Sequence, residues 1–84
     1  MNRLVHTFRD GPVHCSVWLR QSPVGVFYDV TVRRAYRDEA TREVRYASSF
    51  SDRDLAAVTR LVRQAEEWIG EKKRNATTVV IDAT

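Results

Sequence analysis

Among the 84 residues there is one cysteine, Cys15, so no internal disulfide forms, and a reducing compartment is the simplest setting. Three glycines leave no room for a glycine-rich phosphate loop. The two prolines, Pro12 and Pro23, both stand beside turn residues. No stretch approaches the roughly 20 consecutive apolar residues of a membrane helix. Residues 1–6 lack the apolar run of a secretory signal, so a cytoplasmic protein with no membrane partner is expected. Metal-binding spacings of the CxxC or HExxH kind are missing. His14 and Cys15 are neighbours on an extended segment, where successive side chains face opposite ways, so they cannot easily share an ion. Ser48 and Ser49 stand without a nucleophile elbow, and neither His6 nor His14 has an evident orienting acid. Asp38-Glu39 reads as a solvated turn pair. These gaps predict a protein without catalysis, metal, cofactor or small-molecule substrate.

Lysine is scarce too. Before Lys72 every cation is arginine, and residues 1–50 hold eight of them (Arg3, Arg9, Arg20, Arg33, Arg34, Arg37, Arg42 and Arg45) against five acids. That half accounts for the net charge of +3. Arginine suits bidentate phosphate contacts and stacking on bases, although a compositional bias of the genome gives the same pattern.

What the chain does have is alternation. One parity collects Val13, Cys15, Val17 and Leu19, then Val26, Tyr28, Val30 and Val32, then Val44 and Tyr46. The other collects His14, Ser16, Trp18 and Arg20, then Phe27, Thr31 and Arg33, then Arg45. Because strands turn successive side chains to opposite faces, the first set reads as a core and the second as an open, basic face carrying two large aromatics. Strands are expected over residues 2–8, 13–20, 26–37 and 42–50, separated by the turns Asp10-Gly11-Pro12, residues 21–25 and residues 38–41. Short connections imply an antiparallel meander.

The period then changes. Leu55, Val58, Leu61, Val62, Ala65, Trp68 and Ile69 recur at helical spacing, with Ser51 and Asp54 as a capping pair and Arg60, Arg63, Gln64 and Glu67 on a solvated stripe. The helix is expected over about residues 52–73. The expected fold is therefore α+β: a four-stranded antiparallel sheet (β-β-β-β-α) with one long C-terminal helix packed on one face, and Tyr28, Tyr46 and Trp68 filling the gaps between them. Residues 1–74 form the single domain, and residues 75–84 are a tail or an extra edge strand. A domain this small buries little surface, so a homodimer is expected.

The open-face set of Trp18, Arg20, Phe27, Arg33 and Arg45 is the candidate site. Rings interleaved with cations on a sheet are a recipe for single-stranded DNA or RNA, with bases stacked on Trp18 and Phe27 and phosphates met by the arginines. The alternative is a protein–protein or regulatory interface using the same face, since aromatics and arginine also dominate interface hot spots.

Read as a string, Val17-Trp18, the residues Phe27, Tyr28, Val30, Thr31, Arg34, Tyr36 and Asp38, then Ser49-Phe50, Asp54-Leu55, Val58, Ala65 and Trp68-Ile69 resemble a group of small bacterial proteins of unassigned function. By element order alone, strands followed by one long helix also resemble the PC4-like and Whirly-like single-stranded-DNA-binding folds. That resemblance implies pairing through the helices and strand binding across the sheet face, and it transfers no individual residue.

Overall fold

The sheet starts with three long strands rich in β-branched and aromatic residues: β1 (Asn2–Asp10), β2 (Val13–Ser22) and β3 (Gly25–Arg37). A short fourth strand, β4 (Val44–Ala47), completes an antiparallel sheet in the order β1-β2-β3-β4. A 3-10 turn, Asp52–Asp54, leads into the helix α1 (Leu55–Ala83). This computed structural model describes the backbone of residues 2–83 and the side chains of residues 2–75. The α+β meander expected from the alternation is the observed architecture.

Local chemistry explains the connections. Asp10 pairs with Val13, so Gly11 and Pro12 form a two-residue hairpin loop. Gly11 has φ +59°, and the proline ring fixes a negative φ after it, the combination a type II′ turn requires. Asp38 organises the connection between β3 and β4. Its Oδ1 accepts from the N–H groups of Ala40 (2.8 Å) and Thr41 (3.3 Å), and its carbonyl accepts from Arg42 N–H (2.7 Å). Arg42 takes a left-handed φ of 66° as the chain turns back. At the helix start, Asp54 Oδ2 accepts from both the Ser51 N–H (3.3 Å) and the Ser51 hydroxyl (3.0 Å), the reciprocal half of a capping box.

The core lies between β2 and α1. Val13, Cys15 and Val17 of β2 are wholly buried against Leu61 and Ala65 of α1, ringed by half-buried side chains including Phe8, Tyr28, Val30, Phe50 and Trp68. Tyr28 meets Trp68 edge-on, with ring centroids 5.8 Å apart, and His6 stacks on the same indole at 5.5 Å. Ion pairs tie the helical end to the sheet: Arg60 to Asp10 at 2.6 Å and Arg34 to Asp54 at 3.7 Å. Burial pushes the Cys15 thiol up from its ordinary pKa, which keeps it from the reactive thiolate form. Alkylation by a thiol reagent at neutral pH should therefore be slow in the native protein and complete in denaturant. Rapid labelling of the native state would show that β2 opens readily.

Three expectations need correction. First, β4 spans only Val44–Ala47, not residues 42–50, because the hydrogen-bonded turn around Asp38 extends to Glu43, whose carbonyl accepts from Asp38 N–H at 2.9 Å. Second, the helix does not stop near residue 73. It continues to Ala83, so residues 75–83 are helical rather than an edge strand, and Thr84 lies outside the described residues. No proline or glycine follows Lys73 to break the helix, and cooperative extension outweighs the β-propensity of residues 77–81. Third, Val44 and Tyr46 do not belong to the core parity. Tyr46 pairs with Ala35 and Arg45 with Tyr36, which sends Tyr46 to the open face and Arg45 to the helix side. Tyr46 therefore fills no gap under the helix.

Candidate nucleic-acid interface on the open sheet face

Residues directly opposite in an antiparallel sheet share a face, so the register orders the face away from α1 into rows across β1, β2 and β3. The first row is Asn2–Arg20–Phe27 and the second is Leu4–Trp18–Asp29. The third is Thr7–Ser16–Thr31, and the fourth is Arg9–His14–Arg33. Successive rows lie about 7 Å apart, two strand residues each. The face thus grades from rings and apolar groups at the β2–β3 turn, through a belt of hydroxyls, to a cationic end.

Apolar side chains are well exposed at the first end: Leu4 is 50 % accessible and Phe27 48 %. Trp18 is half-buried and held in place. Its Nε1–H donates to Thr31 Oγ1 at 3.0 Å, and the Arg20 guanidinium carbon lies 5.6 Å from its ring centre. Arg20 is itself paired, with Nε donating to Asp29 Oδ2 at 2.6 Å. That pairing makes Arg20 a support for the indole rather than a free cation. In the hydroxyl belt, Ser16 is buried, and its Oγ lies 3.5 Å from Thr7 Oγ1.

At the cationic end Tyr46 is the centre. The Arg33 guanidinium sits over its ring at 3.9 Å, and the His14 ring lies 5.8 Å away. Burial, and then the charges of Arg9 and Arg33, hold the His14 imidazole below the ordinary histidine pKa. The carboxylates of the described ion pairs are spent on Arg20, Arg34, Arg45 and Arg60, which leaves Arg9 and Arg33 without one among the described residues.

Of the five residues chosen from the sequence, Trp18, Arg20, Phe27 and Arg33 share the open face, and Arg45 does not. Arg45 lies across the sheet and pairs with Asp38 at 3.0 Å and Glu43 at 3.7 Å. Leu4, Arg9, His14 and Tyr46 also stand on this face, outside the five expected site residues. A bulge in β1 hides the position of Leu4, since the register shifts between Leu4 and His6. Among the described residues no group of His, Cys, Asp or Glu side chains gathers where an ion could sit, and no helix is long and apolar enough to cross a membrane. No protein-family model, no curated protein and no solved structure matches the chain.

Proposed function

We propose that the protein is a non-catalytic module that holds single-stranded DNA or RNA on its open sheet face with little sequence preference. The observation carrying this reading is one uncovered face that bears Trp18, Phe27 and Tyr46 together with Arg9 and Arg33. Rings offer stacking surface to bases of any identity, and cations without acid partners attract phosphates. A duplex hides its base faces, so unpaired strands fit this surface better. Arg20 enters as the positioning group for Trp18, and Arg45 has no part. A buried, reduced Cys15 suits a cytoplasmic setting.

The test is fluorescence anisotropy with labelled oligothymidine and mixed-sequence oligonucleotides, single- and double-stranded, at two salt concentrations. Micromolar or tighter binding that prefers single strands and weakens as salt rises is the expected result. Absence of binding at low salt, where electrostatic attraction is greatest, overturns it. The homodimer is a separate proposal, checked by sedimentation over a range of concentrations. A dimer abolished by Trp18→Ser would assign the face to self-association instead of nucleic acid.

A further inference from the structure

The fourth row differs from the rest of the face because three adjacent strands each contribute a nitrogen base to one line. Arg9 and Arg33 stand directly opposite His14 across β1 and β3, at strand spacings of about 4.8 Å, so an arginine flanks the histidine on each neighbouring strand. The phenol ring of Tyr46 closes the β4 side, against both Arg33 and His14. Thr7 and Thr31 lie in the next row and offer hydroxyls toward the cations, while Ser16 between them is buried. Thr31 Oγ1 already accepts from Trp18, which leaves its own proton free for another acceptor. Among the described residues no carboxylate faces His14: its neighbours on this face are Arg9, Arg33 and Tyr46, while Asp10 lies on the helix side with Arg60.

Such a line of donors suits a tetrahedral oxyanion, since forked guanidiniums and hydroxyls together serve several oxygens at once. We infer that the Arg9–His14–Arg33 row is a phosphate site in which His14 takes up a proton from solvent as the anion binds, so that the open face holds a phosphodiester strand more tightly as pH falls. The inference rests on the strand-binding reading and adds to it the seat of the phosphate and its proton linkage. In the free protein burial, and then the two arginines, oppose charge on His14. An anion seated between them offsets that repulsion and stabilises the imidazolium. Because the bound-state pKa lies above the free one, the gain is full below the free value and is lost as pH rises through the bound value.

Oligothymidine without a terminal phosphate is the probe, because neither its bases nor its diesters titrate in this range. Binding is measured at constant ionic strength near pH 5.5 and near pH 7.5 for the wild type and His14→Gln. The wild type should bind more tightly at the lower pH, by about threefold to tenfold. His14→Gln, with no titrating ring, should lose most of that ratio. In parallel, NMR titration of the histidine ring protons with and without inorganic phosphate should move the His14 midpoint upward. His6, stacked on Trp68 on the helix side, serves as the internal reference. Equal pH ratios in the two proteins, or a His14 midpoint unmoved by phosphate, overturn the inference while leaving strand binding intact. If the oligonucleotide binds at neither pH, the strand-binding reading falls and the NMR shift alone decides whether the row is a phosphate site.

Discussion

Leu61→Ala should remove a large part of the stability of the fold and lower the thermal midpoint by at least about 10 °C, as followed by far-UV circular dichroism. Leu61 is 2 % exposed and, with Ala65, is one of the two described α1 side chains buried in the core against β2. Deleting a buried leucine to the β-carbon costs about 2–5 kcal/mol, and a domain of this length commonly has only about 5–10 kcal/mol in total. The core has little redundancy with which to absorb the loss, because its fully buried apolar members are Val13, Cys15, Val17, Leu61 and Ala65. Val62→Ala, one residue on and 44 % exposed, is the matched control and should cost less than about 1 kcal/mol. Equal losses from the two substitutions would mean that α1 meets the sheet through a different stripe.

Trp18→Ala should weaken oligonucleotide binding about fivefold to a hundredfold at every salt concentration, the range expected for removal of one base-stacking ring. The indole is braced from two sides, by Thr31 through its N–H and by the Arg20–Asp29 pair beside it. A ring already fixed loses little freedom when a base stacks on it. Trp18→Phe keeps a stacking surface without the hydrogen bond and should retain most of the affinity. Arg33→Ala should behave differently, weakening binding and also reducing the slope of log K against log salt by about one unit. Wild-type affinity in Trp18→Ala, with an unchanged melting curve, would remove Trp18 from the interface.

The parts of the fold legible in the sequence were those governed by local period. Alternation in residues 13–20 and 26–34 located both long central strands and their buried side, and the spacing of Leu61, Ala65 and Trp68 located the inner stripe of α1. The face of β4 is not legible from hydrophobicity, because register decides it. Six residues separate Arg37 from its partner Val44, and the four-residue turn expected there would have given the same parity. Either turn sets odd positions of β3 against even positions of β4, which places Tyr46 with Arg33. Arg20 presents a subtler case. Its place on the face follows from alternation, yet its pairing with Asp29 depends on cross-strand register that a linear reading does not weigh. The helix end is hidden in the sequence because β-branched residues form a strand only when a sheet edge receives them.

The irregularity in β1 has a consequence for how this surface can change. Asn2 and Leu4 lie on the open face as even-numbered residues, whereas Thr7 and Arg9 lie there as odd-numbered ones, and Val5 marks the change of phase. It packs toward the core, so the extra residue is anchored. The strand therefore carries two reading frames joined at one residue. Loss of that residue would join the two frames into one regular alternation, leaving Leu4 opposite Trp18 and Arg3 on the helix side, while the Arg9–His14–Arg33 row stayed where it is. A single-codon deletion would thus straighten β1 and remove one side chain packed against the core, without carrying any residue to the other face of the sheet.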